Sequence, residues 1–549
     1  MHERLFILRM APLGALTLAV VAIVAAWWWL GRALPMPDAP LAAGEKLQCV
    51  SYAPFRGGQN PLSDGTQIEA WQIDEDLARL KSVTDCIRSY SIEHGLDQIP
   101  QIARKHGMKV IQGLWLSSHA LKNETQIVTV VALARQFPDV IQSVVVGNEV
   151  LLRGELSATD LAGIIRRVKA QVAVPVTYAD VWEFWLRNRD LAAAVDFITI
   201  HILPYWEDFP IPAHLAGSHI DSIRKQVVAV FPGRDILIGE TGWPSAGRMR
   251  EGALPSLANQ ARVIQDVLAI ARRDKFRVNV IEAFDQPWKR RLEGTVGGFW
   301  GLFDDRTREP KFAWGVPVSN HPHWLWQAGG GVLLAILVFA AATVARMRAK
   351  ETSLAPPLTW LAVGVNAALA GIFVGLAVER MPAESLGAGG WLRSLALVLL
   401  AVAAPFVASI ALMRKDAFPS FAQMLSPLRL RLTDAAGGMT PALGWLLIGA
   451  TLLAIQVALG LVFDPRYKDF PFAPLTPAIL PLLTLSFAAP VRGRSRGAAE
   501  TIAATTLALS AVYIFFNETA ANWQSIWLCA LMLALAVTLF RTKGAAVPG

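Results

Sequence analysis

VVVGNEVLL, residues 144–152, begins as a strand with apolar side chains on both faces and then sets an amide, Asn148, beside a carboxylate, Glu149. Burying an ionisable group without partners is costly, so a charge closing such a strand implies a function or a ring of compensating contacts. ILIGETGWPS, from Ile236, is built the same way: an apolar strand, then Gly239 and Glu240.

Six more runs share this strand character: LQCVSYAPF from 47, DCIRSYSIE from 85, KVIQGLWLS from 109, VPVTYADVWEF from 174, VDFITIHILPYW from 195 and VNVIEAFDQPW from 278. Segments of helical periodicity, such as DEDLARLKSV, QIVTVVALARQFP, ATDLAGIIRRVKAQ and LANQARVIQDVLAIARR, lie between them. Near-continuous apolar strands alternating with helices indicate a parallel sheet covered on both faces. Eight such units in about 275 residues fit a closed (β/α)8 barrel better than an open doubly wound sheet. No GxGxxG or GxxxxGK[ST] follows any of the strands, which argues against a nucleotide-binding sheet.

The composition requires a second regime. The chain has 549 residues, 54% of them hydrophobic and yet 17% charged, which suits neither a purely soluble enzyme nor a purely integral protein. Residues 10–30, MAPLGALTLAVVAIVAAWWWL, form an apolar run of bilayer-spanning length ending in a Trp cluster, which reads as a retained anchor rather than a cleaved signal peptide. After His323 seven more apolar stretches follow, at 324–345, 357–378, 391–413, 442–463, 473–490, 500–516 and 523–540. The expected division is a cytoplasmic tail at 1–9, a transmembrane anchor at 10–30, a linker at 31–46, the (β/α)8 domain at 47–320, a seven-helix transmembrane domain at 324–541 and a cytoplasmic tail at 542–549. The fold class is thus α/β, a TIM barrel outside the membrane, joined to an all-α multi-span domain.

With Arg4 and Arg9 inside, the connections assigned to the same side hold Arg346, Arg348 and Lys350, then Arg414, Lys415, Arg429 and Arg431, then Arg492, Arg494 and Arg496, and finally Arg541 and Lys543. Opposite connections hold chiefly Arg380, Arg466 and Lys468, the asymmetry that the positive-inside rule requires. The net charge of +8 therefore sits at span ends rather than on a basic face and calls for no nucleic acid. The spans carry almost no ionisable residue at mid-depth, with Asn366 and Gln456 the main polar interruptions, which favours an anchor or scaffold over an ion-driven transporter. Three cysteines exclude a disulfide scaffold; Cys49 and Cys86 either pair in an oxidising compartment or remain two buried thiols.

A barrel of this kind gathers its active site at the C-terminal ends of the strands. Glu149 then closes the fourth strand and Glu240 the seventh, facing each other across a shared mouth. Tyr52, Arg88, Tyr90, Trp115, Tyr178, His201, Tyr205, Glu282 and Trp288 come from other strand ends. Two facing carboxylates with aromatic platforms suit glycosidic chemistry, one protonated to donate to the leaving oxygen and one ionised to attack the anomeric carbon. Metal catalysis has no comparable support, since no HExxH-type spacing or aspartate cluster is present, and no cofactor is called for.

VVGNE, IGETGWPSAG, EAFDQPWK and GGFWGLFDD together resemble glycoside hydrolase family 17, the β-1,3-glucanases and β-1,3-glucan transglycosylases, over most of residues 47–315. The resemblance implies Glu149 as acid/base, Glu240 as nucleophile and Asn148 as the partner of the sugar 2-hydroxyl, with Glu282, Trp288 and Lys289 shaping the donor subsites. His201 either hydrogen-bonds the nucleophile or is a satisfied barrel histidine, and Trp243 either packs beneath the nucleophile turn or touches sugar. The expected function is a retaining enzyme on β-1,3-glucan, a transglycosylase forming β-1,6 links or branches or else a hydrolase; a non-catalytic glucan-binding or export component is the alternative. Its expected partners are a β-glucan polysaccharide or oligosaccharide and the lipid bilayer, in a bacterial inner membrane with the barrel periplasmic and both termini cytoplasmic.

Overall fold

The computed structural model describes residues 2–349, 354–425, 439–488 and 497–542, with side chains from Met10 onward. Lys350, Arg429, Arg431, Arg492, Arg494, Arg496 and Lys543 of the expected charge pattern lie outside the described residues, as do the side chains of Arg4 and Arg9. The chain forms two compact units, residues 34–318 and residues 1–33 with 319–549.

In the first unit the eight apolar runs become β1 (Cys49–Ser51), β2 (Cys86–Arg88), β3 (Lys109–Leu114), β4 (Ile141–Asn148), β5 (Val176–Val181), β6 (Ile198–His201), β7 (Ile236–Thr241) and β8 (Arg277–Val280). They pair in sequence order, all parallel, and β1 closes on β8 with Cys49 opposite Asn279 and Val50 opposite Val280. Because side chains alternate along a strand, each strand feeds two cores. One is the lumen, where Cys49, Cys86, Ile111, Val145, Ala179, Phe197 and Leu237 meet, one residue from or beside each of the first seven strands. The other lies between strands and helices and is larger, taking in Val144, Val146, Tyr178, Ile198 and Ile238 with helical residues such as Leu77, Ile165 and Val267.

The helices follow from local chemistry. Ala158–Lys169 starts where the Ser157 side chain accepts the Asp160 N–H, carries Asp160 in its first turn and Arg166, Arg167 and Lys169 in its last, and buries Leu161, Ala162, Ile165 and Val168 on one stripe. Cys49 and Cys86 form a disulfide, resolving the alternative left by the sequence. The segment expected as linker divides: Leu34 exchanges backbone hydrogen bonds with Val318 (2.8 and 3.0 Å), and Pro35 O accepts from Arg262 (3.0 Å), so residues 34–46 belong to the barrel unit.

The second unit is helical: His2–Gly31, Trp324–Arg348, Pro357–Glu384, Gly387–Arg414, Phe421–Met424, Thr440–Phe463, Phe472–Ala488, Ala498–Glu518 and Trp523–Arg541. Among the described residues seven of these are long and apolar enough to cross a membrane, counting the first from Met10. The expected stretch at 473–490 is the exception; its helix, Phe472–Ala488, has 17 residues and contains Pro477 and Pro481. The first helix is an integral member of the bundle, burying Ala15, Ala19, Ile23 and Trp27 at four-residue intervals, with the Trp27 indole donating to Gly371 O (3.2 Å). Asn366 is buried and donates to Ser409 (3.1 Å), whereas Gln456 is exposed.

Candidate active site

Regular alternation along β4 would turn Asn148 away from the lumen that Val145 faces. Gly147 changes this. Its φ of 86° is a left-handed conformation open to glycine, and the β4–β5 register shifts between Val145 and Asn148, so the bulge re-aims the last residues of the strand. Glu149 then also adopts a left-handed φ, 53°, uncommon for a residue with a β-carbon. Its N–H donates to Ala179 O (2.8 Å) and its carbonyl accepts the Arg153 N–H (2.9 Å). On β7 a glycine is again needed, since a β-carbon on Gly239 would lie 2.3 Å from Thr199 Cγ2 and 3.5 Å from Arg88 Nη1. The Thr199 methyl takes that space, and Arg88, whose side chain is 1% exposed, lies beside it.

The Arg88 guanidinium organises the centre. Nη1 donates to Gly239 O (2.9 Å) and Glu240 Oε1 (3.0 Å), and Nη2 donates to Asn148 Oδ1 (2.5 Å). Tyr90 adds a hydroxyl donor to Glu240 Oε1 (2.9 Å). His201 Nδ1 is 2.8 Å from Glu149 Oε1, while Nε2 is 3.4 Å from Arg88 Nη1 and 3.5 Å from Glu240 Oε1. With the proton on Nδ1 donated to Glu149, Nε2 is left as the acceptor for Arg88. One oxygen of each carboxylate and one His201 nitrogen all lie within 4.8 Å of one another. This trio has the atom types of a metal site, but Arg88 already places a cation on Glu240 there.

The two carboxylates sit in unlike surroundings. Glu240 is 6% exposed at its side chain and holds two donors; Glu149 is 23% exposed. Burial pushes the Glu149 carboxyl up, yet the hydrogen bond from His201 and its charge when protonated, with Arg88 and Arg153 behind them, outweigh burial and hold it below the usual range. On the β8 side, burial lifts Glu282 to about 7 despite the Lys289 ammonium 3.0 Å away. Lys289 is itself raised, because the charges of Glu282 and Glu293 outweigh its burial.

Residues 49–301 match the family model described as the BtgE/BtgC glycoside hydrolase domain. The barrel is similar to that glycoside hydrolase domain. Over 264 residues, 46% of this chain and 45% of the relative, the sequence is 29% identical to a "Probable beta-glucosidase btgE" of Aspergillus fumigatus. Over 273 residues, 44% of this chain and 87% of the relative, it is 27% identical to a "Glucan 1,3-beta-glucosidase" of Candida albicans. The chain thus spans somewhat less than half the length of the Aspergillus relative. A glycoside hydrolase family 17 beta-1,3-glucanosyltransferase from Rhizomucor miehei superposes with a TM-score of 0.43 at 24% identity, covering 49% of this chain and 97% of that one.

The barrel separates the residues expected at its mouth. Glu149, Glu240, Asn148, Tyr90 and His201 meet, with Arg88 beneath them as a buried support, so its expected role as a sugar contact gives way to one of orientation. Glu282 and Lys289 form an ion pair just past β8, near enough to Glu240 for its charge to act on both, and Trp288, half-buried, donates to Gln286 (2.8 Å). Trp115 is half-buried after β3, under the Arg153 guanidinium (4.1 Å).

Three tyrosines depart from expectation. Tyr52 is buried and donates to Asp76 (3.0 Å), which also accepts from Arg56 and Arg308. Tyr178 points into the strand–helix core against Trp185 and donates to Asp180. Tyr205 is buried, donates to Arg248 O (3.0 Å) and stands edge-on to Trp206, Trp243 and Trp300. None of the three has its hydroxyl directed to the carboxylate pair. Trp243 is buried beneath the turn after Glu240, its indole donating to Leu254 O (3.1 Å). Sequence reasoning passed over Arg153 and Asp180, which brace the turn carrying Glu149; their only signal is nearness to the Asn-Glu pair and to a strand end.

Proposed function

We propose that the chain is a retaining, membrane-bound enzyme that cleaves β-1,3-glucan and passes the released glucosyl end to another glucan hydroxyl, with water as the competing acceptor. The observation that carries this reading is the approach of the Glu149 and Glu240 oxygens within 4.8 Å. A gap of about 5 Å admits a sugar anomeric centre between nucleophile and acid but no additional water, the retaining arrangement. The relatives named for β-glucosidase activity agree with it.

Ionised Glu240 attacks the anomeric carbon and forms a covalent glucosyl ester, while protonated Glu149 gives its proton to the departing oxygen. The acceptor hydroxyl then attacks that carbon with Glu149 as base, and Glu240 leaves. Arg88 and Tyr90 fix the oxygen of Glu240 that they share, and Arg88 turns Asn148 toward the position of the 2-hydroxyl. In the free site His201 holds the Glu149 carboxyl below its usual range, whereas burial acts to raise it toward the protonated form that the first step uses.

The location proposed is a bacterial inner membrane with the barrel periplasmic. Support comes from the Cys49–Cys86 disulfide, which suits an oxidising compartment, and from Arg346, Arg348, Arg414, Lys415 and Arg541 at helix ends that would share the cytoplasmic side.

Incubating the detergent-solubilised full chain with laminari-oligosaccharides and weighing the products by mass spectrometry tests the reading. Longer oligosaccharides indicate transfer, and NMR of their linkages separates β-1,3 extension from β-1,6 branching. Shorter products alone indicate hydrolysis. An unchanged ladder with retained binding would replace the enzyme by a glucan-binding or export component.

A further inference from the structure

We propose that Asp180 positions the general acid: it acts through the 149–152 turn, without touching substrate, to hold the Glu149 carboxyl where the leaving oxygen will be. The inference rests on the acid/base role proposed for Glu149.

The turn needs such a holder. A left-handed φ at a residue with a β-carbon is strained and persists only where the surroundings over-determine it. Asp180 lies on the face of β5 turned from the lumen, like Tyr178 two residues earlier, and is fully buried. Its Oδ2 accepts the N–H of Leu151 (3.2 Å) and of Leu152 (3.4 Å), the backbone donors just after Glu149. The Tyr178 hydroxyl donates to the same oxygen and also accepts the Leu151 N–H (3.0 Å). Oδ1 accepts its own Val181 N–H (2.8 Å), which fixes the carboxylate on the strand. The residue before it, Ala179, accepts the Glu149 N–H through its carbonyl (2.8 Å). One short piece of β5 therefore grips the turn on both sides of the left-handed residue. Arg153 grips it from the opposite direction, donating to Asn148 O and to Leu116 O (2.6 Å). Without the Asp180 acceptor, the Leu152 N–H loses its partner, the Leu151 N–H keeps only the Tyr178 hydroxyl, and the turn has reason to relax. Glu240, held by Arg88 and Tyr90, shares none of these contacts.

That separation yields a specific test. A displaced acid harms only substrates whose leaving group must be protonated. Asp180→Ala, Asp180→Asn and Tyr178→Phe are compared with the parent and with Glu149→Ala, as full chains in detergent. Two donors are used: laminari-oligosaccharide, and a dinitrophenyl laminaribioside whose phenolate departs unaided. For the second, the initial burst of dinitrophenolate reports glucosyl-enzyme formation alone. Asp180→Ala is expected to lower kcat/KM on the oligosaccharide roughly 10- to 100-fold, the cost of misplacing a reacting group by about an ångström. Its burst rate on the aryl donor should stay within about threefold, since general acid help is not required there. Asp180→Asn, which keeps an acceptor oxygen, should recover most of the loss, and Tyr178→Phe should show the same selectivity in milder form. Equal losses on both donors in Asp180→Ala, or, where that variant is insoluble, no selective loss on the oligosaccharide in Tyr178→Phe, would overturn the proposal. Failure of Glu149→Ala to show leaving-group selectivity would instead remove the acid/base assignment beneath it.

Discussion

Glu240 and Glu149 share a histidine but not an environment, and their substitutions should separate accordingly. Glu240 holds donors from Arg88 and Tyr90 on one oxygen, a geometry for a fixed nucleophile. Glu240→Ala should leave laminari-oligosaccharide binding within a few-fold of the parent and reduce turnover by roughly 10^4-fold or more, as loss of a covalent nucleophile does elsewhere. Parent-like turnover would place the nucleophile elsewhere. His201 tests the other carboxylate. A general acid works while protonated, so activity falls as pH rises through its pKa, and the basic limb of the kcat/KM profile reports that value in the free enzyme. His201 supplies the chief influences that hold Glu149 low against burial. His201→Phe removes them, Glu149 rises, and the basic limb should move to higher pH; an unmoved limb would mean that His201 does not tune the acid.

At the scale of the element, strands β4 and β7 reach the site by departing from regular alternation, and both departures depend on glycine. A β-carbon on Gly239 meets the Thr199 methyl at 2.3 Å, while His201 and Arg88 stand at ordinary contact distance. Gly239→Ala is expected to cost about 1–3 kcal/mol in denaturant unfolding through overpacking against Thr199. An unchanged denaturant midpoint would show that Thr199 yields to the added methyl without cost.

The same elements show what the sequence could reveal. Eight apolar runs sufficed for the closed parallel barrel, because burial on both faces leaves a continuous signal that no loop imitates. Strand ends also brought Glu149, Glu240 and His201 into one mouth. The parity of each side chain was not legible. Tyr178 and Arg88 both sit near strand ends, yet one faces the helices and the other the lumen, and register shifts after Val145, Ile200 and Ile238 reset the alternation where it matters. Tyr52, Tyr178 and Tyr205 were read as sugar contacts for this reason. The partners that bury them, Asp76, Asp180 and Arg248 O, are visible only once helices and loops are placed.

For the whole molecule, the disulfide and the charged helix ends bear on one question, the compartment of the barrel. Cys49 and Cys86 lie 37 residues apart in sequence and join β1 to β2 inside the lumen. Closing a loop of that length restrains the unfolded chain by about 4 kcal/mol in the chain-entropy description. Cys49→Ser with Cys86→Ser should therefore lower the barrel's denaturant midpoint by a corresponding amount, and an unchanged midpoint would deny the bond a stabilising role. Cys529 is buried and is the remaining cysteine of the chain.

If the barrel matures outside the cytoplasm, alkylation of denatured, unreduced membranes should modify Cys529 alone, and prior reduction should add two further sites. Protease applied to intact spheroplasts should remove the barrel and leave a membrane-protected fragment containing Cys529. The helix-end cations Arg346, Arg348, Arg414 and Arg541 argue for that sidedness, because translocating them against the membrane potential is unfavourable. Three alkylated cysteines without reduction, together with a barrel that survives external protease, would reverse the orientation and place the glucan chemistry in the cytoplasm.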